Sequence, residues 1–141
     1  MKFLAGVDPE YLHPALLAAL YMGDECYKAV ASELVVTHLG DGKHSDASLH
    51  YKGRAADVRT KGVDQGLLGQ IERAWRSKLG APGEIYDLLW EDKGGDNAHF
   101  HIEYDPKARK GAAVPTATTL TTPPSFMKTV INLVRPEKGG R

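Results

Sequence analysis

Two histidines two residues apart, His99 and His101, are the first sign of chemistry in this chain. Across Ala98–Tyr104 they alternate with apolar residues: Phe100, Ile102 and Tyr104 interleave with His99, His101 and Glu103. Successive side chains of a strand face opposite sides, so the apolar trio turns to a core and the polar trio away from it. Ile85–Glu91 behaves alike, with Tyr86, Leu88 and Trp90 on one face and Asp87, Leu89 and Glu91 on the other. The run between them, Asp92-Lys93-Gly94-Gly95-Asp96-Asn97, is rich in turn formers and joins the two strands as a hairpin. Pairing them can bring Glu91, His99 and His101 to one surface. Neutral imidazoles two residues apart on a strand suit zinc, because both point into the same space. Alone, His-x-His is a weak motif, and a solvated strand face explains it at least as well.

A second cluster adds what the first lacks. Ser48-Leu49-His50-Tyr51-Lys52-Gly53-Arg54-Ala55-Ala56-Asp57 places a histidine at a loop's end and an aspartate inside a strand. Gly53 lets the chain turn sharply between them. Ala55 shares the strand face of Asp57, and its small side chain leaves room for an ion and a substrate. Aspartate is depleted in strands, so one set between Ala56 and Val58 argues against an incidental surface carboxylate. Two nitrogen donors and one oxygen donor leave one of zinc's four positions open, which marks a catalytic rather than a structural site.

The elements that must position these residues follow from periodicity. Asp8-Pro9 and His13-Pro14 are two candidate helix starts, and Ala15 to about Ser32 reads as a helix. Leu34–Thr37 reads as a short buried strand, residues 39–53 as a long polar loop and Arg54–Arg59 as a second strand. Asp64 caps a helix in which Leu67, Leu68, Ile71, Trp75 and Leu79 recur at helical steps. Gly80-Ala81-Pro82-Gly83 ends it before the hairpin. The order helix, strand, strand, helix, strand, strand implies an α+β domain: a small, mostly antiparallel sheet packed on helices, with the metal on its open face. His13 and His38 read as helix-start or surface residues, and Cys26 as a small buried side chain.

The 141 residues, 26% charged and 42% hydrophobic, fit one soluble domain and exclude a wholly disordered chain. No apolar run approaches the roughly 18 residues of a membrane span. The N-terminal residues meet Asp8 too soon for a secretory segment, so no signal peptide is expected. One cysteine forms no internal disulfide. Equal numbers of acids and bases, 18 each, conceal an asymmetry: residues 106–141 carry a net +6 and residues 1–105 a net −6. The expected organisation is therefore a domain over 1–105 followed by a basic, Pro/Thr-rich extension over 106–141.

The motif Ser-x-His-x-x-Gly-x-Ala-x-Asp with a late histidine strand resembles the zinc D-Ala-D-Ala carboxypeptidase and L-alanyl-D-glutamate endopeptidase family. Within that superfamily, Gly42–Val58 and the segment from Glu91 to Ala98-His99-Phe100-His101 look most like the hedgehog N-terminal signalling domain. The resemblance covers roughly residues 34–104. It implies that His50, Asp57 and His101 are zinc ligands and that Glu91 is the carboxylate that activates water. By the same likeness His44 and His99 flank the site, either serving as donor to a developing oxyanion. Ser48 and Arg54, inside the motif, are expected to contact substrate. The connection from Glu91 to His99 is longer than in hedgehog by the Gly94-Gly95-Asp96 region. Some peptidases of the family place the base three residues before the zinc histidine, a pattern that here would select Asp96 and His99 instead.

The resemblance thus implies a zinc metallopeptidase cutting bacterial cell-wall stem peptides that contain D-amino acids, such as a phage lytic enzyme. Such a protein would be made in the cytoplasm and reach the wall after release, its basic extension suiting anionic wall polymers. It would act as a monomer, without nucleic-acid or membrane partners. A hedgehog-type zinc module that binds without hydrolysing is the alternative. Asp41 and Asp46 are similar to an acidic calcium loop of hedgehog, but two carboxylates are too few to assign calcium.

Overall fold

The side chains that repeat at steps of three and four become the buried stripes of two helices. A computed structural model describes residues 1–40, 45–81 and 85–106. Helix α1 spans Pro14–Ala29, with His13 as N-cap accepting the Ala15 amide at 3.2 Å through Nδ1. Proline in its first turn costs no helical hydrogen bond. Leu16, Ala19, Leu20, Gly23 and Tyr27 form its buried stripe. Helix α2 spans Gln65–Leu79; the Asp64 carboxylate accepts the Gly66 and Leu67 amides at 2.8 and 3.2 Å. Leu68, Ile71 and Trp75 are its buried residues. The helices meet where Gly23 offers no side chain: a Cβ there would stand 2.5 Å from the Trp75 ring. That close approach lets the Trp75 indole donate to the Ala19 carbonyl at 2.9 Å.

Five strands form one sheet: β1 (Lys2–Phe3), β2 (Val35–His38), β3 (Ala55–Arg59), β4 (Tyr86–Glu91) and β5 (His99–Tyr104), in the order β1-β2-β3-β5-β4. Pairings from β2 through β4 are antiparallel, whereas β1 joins β2 in parallel, so the sheet is mixed. Strand β1, two residues long, is too short to show a period, which is why no strand is expected there from sequence. Val36, Ala56, Val58, Leu88, Phe100 and Ile102 point from the sheet into the core with the helices. Trp75 meets Phe100 edge-on, with ring centroids 6.1 Å apart. Cys26 is buried, as its place in α1 requires.

Register settles the faces. Asp57 stands opposite His101 between β3 and β5, and Glu91 opposite His99 between β4 and β5. Directly opposed residues in an antiparallel pair share a face. The hairpin expected from alternation therefore forms, with its polar side turned away from the helices. The Thr60 hydroxyl donates to the Ala98 carbonyl at 2.7 Å and ties the end of β3 to the start of β5. Among the described residues, no helix is long and apolar enough to cross a membrane.

Candidate metal centre

His50 opens a 3-10 turn, His50–Lys52, closed by Gly53 in the left-handed conformation at φ 64°. A Cβ on Gly53 would run into the Tyr11 carbonyl oxygen, so glycine is required by backbone angle and by space together. The turn puts His50 beside the start of β3 and buries it. The Ser48 hydroxyl accepts the His50 amide at 3.3 Å. The His50 ring lies 2.6 Å, through Nδ1, from the Leu39 carbonyl. A carbonyl only accepts, so Nδ1 carries a proton and donates it there. Nε2, the other ring nitrogen, faces Asp57, 3.5 Å from Oδ1. A carbonyl that engages the ring in this way is the usual support of a metal-binding imidazole.

Asp57 Oδ1 is the hub. His101 Nδ1 stands 2.9 Å from it, His50 Nε2 3.5 Å and His99 Nε2 3.7 Å. His101 turns its other nitrogen to Glu103, 3.4 Å away. Burial pushes the Asp57 carboxyl pKa up, but hydrogen bonds from His101 and His50, with the charges of His50 and His99, hold it well below the usual carboxylate range. Burial lowers the His101 pKa, and the hydrogen bond and charge of Asp57 more than reverse that, leaving it raised.

One atom from each of His50, Asp57 and His101 lies within 4.8 Å of the others, a group able to hold a metal ion. Two imidazoles and a carboxylate, all shielded from solvent on one side by the sheet, fit zinc by donor type. His50 fits as well, since the Leu39 carbonyl engages its Nδ1 and its Nε2 is turned inward. A groove of about 330 Å³ opens over these side chains and is also lined by Ser45, Ser48, Glu91 and His99. Glu91 Oε2 stands 3.2 Å from His99 Nε2.

Of the residues singled out by sequence, the fold gathers His50, Asp57, His101, Glu91, His99 and Ser48 around this groove. Asp96 lines a different depression, beside Thr60, Gln65 and Trp90. Arg54 is not brought to the groove: it precedes β3 in register with the core-facing Ala56, and its guanidinium lies 5.8 Å from the Tyr104 ring centre. His44 and Asp41 lie outside the described residues, as do residues 107–141 of the basic extension.

From sequence His38 reads as a surface or helix-start residue beyond the strand; the structure makes it the last residue of β2 and leaves it half-exposed. A register irregularity between the buried Val36 and His38 sets it opposite Asp57. Its Nδ1 stands 3.8 Å from Asp57 Oδ2. A bulge re-aims a side chain in this way, and a single sequence carries no periodic signal for it.

No family model matches the chain. It is 29% identical to the Indian hedgehog protein of Gallus gallus over 96 residues, 68% of this chain and 22% of that protein. It is 30% identical to the Tiggy-winkle hedgehog protein of Danio rerio over 81 residues, 57% of this chain and 18% of that protein. The chain thus spans about a fifth of the length of the curated relatives it matches. The likeness to hedgehog proteins agrees with the motif resemblance and is partial. Neither relative is a D-Ala-D-Ala peptidase by name.

Proposed function

We propose that this domain is a zinc-dependent peptidase that hydrolyses bacterial cell-wall stem peptides containing D-amino acids. The observation that carries the proposal is the carboxylate of Glu91, held over the same groove as the metal-competent His50, Asp57 and His101. Glu91 is half-exposed at the mouth of the groove, open to solvent and to a bound peptide. Zinc held by those three residues supplies Lewis-acid polarisation of a carbonyl and an acidified water. Glu91 is the base: it takes the proton of the attacking water and returns it to the departing amine. His99 stands beside it, with Nε2 3.2 Å from the Glu91 carboxylate. Burial on the sheet face keeps Asp57 and both histidines in place, so little reorganisation accompanies reaction.

The likeness to hedgehog proteins favours a second reading, a zinc-bearing module that binds and does not cut. Stem peptides of defined sequence, incubated with and without chelator, separate the two. Chelator-sensitive appearance of new amine ends supports the peptidase; intact peptide at all enzyme concentrations supports the module. In the first case Glu91→Gln retains stoichiometric zinc and loses about 10²–10⁴ in kcat. Asp96→Asn stays near the parent rate, because Asp96 lies in the neighbouring depression.

A further inference from the structure

Sheet register sets three rows of side chains across the open face. The middle row is Asp57, His101 and Leu89, and holds two of the metal-competent residues. On one side of it stand Ala55, Glu103 and Asp87; on the other stand Arg59, His99 and Glu91. The flanking rows differ in charge. The first carries two carboxylates and no cation, whereas the second has an arginine at its β3 end and a carboxylate at its β4 end. Arg59 has a fixed backbone and an uncommitted side chain. The buried Tyr27 hydroxyl donates to its carbonyl at 2.9 Å, while the residue itself is exposed. Arg76 pairs with Glu72 and Arg54 lies against Tyr104, but among the described residues no acid or ring holds the Arg59 guanidinium.

We propose that Arg59 is a specificity-determining residue: its guanidinium anchors a free carboxylate on the α-carbon of the residue that departs as the amine. The assignment rests on the peptidase reading above, in which Glu91 returns a proton to that amine. Glu91 Oε2 and Asp57 Oδ1 lie 3.2 and 3.7 Å from His99 Nε2, so the amine that Glu91 protonates sits over β5. Arg59 stands one strand away, about 4.8 Å. The carbon of an α-carboxylate follows about 2.5 Å from the amine nitrogen. On the β3 side it comes within reach of the guanidinium, whose planar fork holds a carboxylate through two hydrogen bonds. Asp57 and Glu91 would otherwise repel an anion there, and Glu103 and Asp87 repel one on the far side of the middle row. Such a carboxylate has two chemical sources: the end of a peptide, or a residue that continues the chain through its side-chain carboxyl.

Three stem peptides with the same acyl side test this on the zinc-loaded full chain. One ends at the departing residue with a free carboxylate, and the second is its carboxamide. The third continues through the side-chain carboxyl of the departing residue and leaves the α-carboxylate free. The parent should cut the first or the third about 10–100-fold more efficiently than the second, measured as kcat/KM. Which of those two it prefers separates trimming of a chain end from internal cleavage. Arg59→Gln should erase the preference, losing kcat/KM on the carboxylate peptide and staying within about twofold of the parent on the carboxamide. Arg59→Lys should keep part of it, as a point charge without the fork. The ratio between two substrates of one preparation does not change if some of the protein is unfolded. Equal rates on acid and carboxamide in the parent overturn the proposal, as does a preference that survives in Arg59→Gln. If the parent cuts no peptide, the peptidase reading fails, and calorimetric binding of the same peptides decides the anchor. Tighter binding of the free acid, lost in Arg59→Gln, upholds it; equal binding of acid and carboxamide overturns it.

Discussion

At the scale of the residue, the centre is governed by one carboxylate among imidazoles. In the metal-free protein the raised His101 pKa and the lowered Asp57 pKa describe one attraction seen from both partners. The contribution of His101 is complete below its unfolded value of about 6.5 and is lost as pH rises through the folded value. That of Asp57 is complete above its unfolded value of about 3.9 and is lost as pH falls through the folded value. Zinc competes with the His101 proton, so its affinity runs the other way and rises with pH. Chelated protein should therefore melt lower at about pH 8.5 than at about pH 5.5, while added zinc raises the melting temperature more at the higher pH. Equal zinc-induced shifts at both pH values would exclude His101 as a ligand.

At the scale of the element, the sequence shows the two strands of the hairpin and both helices because their apolar residues repeat at steps of two or of three and four. Period alone places Glu91, His99 and His101 on one face, and the register bears this out. It fails at His38, where the irregularity in β2 breaks the period, and at β1, where two residues carry none. Gly53 is legible as a turn, but the demand on it comes from the Tyr11 carbonyl, 42 residues earlier in the chain by number. Gly53→Ala should destabilise the domain by about 1–3 kcal/mol through the left-handed angle, before the clash is counted. It should also weaken zinc binding, since the turn sets His50 against Asp57; calorimetric titration with zinc, below the melting temperature, reads the second effect. Unaltered zinc affinity would mean that His50 is placed by the Leu39 carbonyl without help from the turn.

At the scale of the whole molecule, a core on one face of the sheet supports chemistry on the other. Trp75 fills the space left by Gly23, donates to Ala19 and meets Phe100, whose neighbours on β5 are His99 and His101. Trp75→Phe removes the buried indole and its hydrogen bond, and should cost about 1–3 kcal/mol of stability. Denaturant unfolding measures that loss. Zinc affinity of the folded variant should stay within about threefold, because a strand transmits little of a core vacancy to the side chains of its opposite face. A large fall in zinc affinity would show that the two faces are coupled through β5.

The sequence by itself determined which residues could serve as donors, which faces of the strands carry them and which faces of the helices are buried. Those are consequences of side-chain chemistry and of short-range period, both of which are local. Tertiary structure decided what local rules leave open: the order of the strands, the convergence of His50 with Asp57 and His101, and the return of His38 to their face. It also separated Glu91, over the groove, from Asp96 in the neighbouring depression. Each of these depends on register between segments distant in the chain, and register is set only when the strands pair and the core closes.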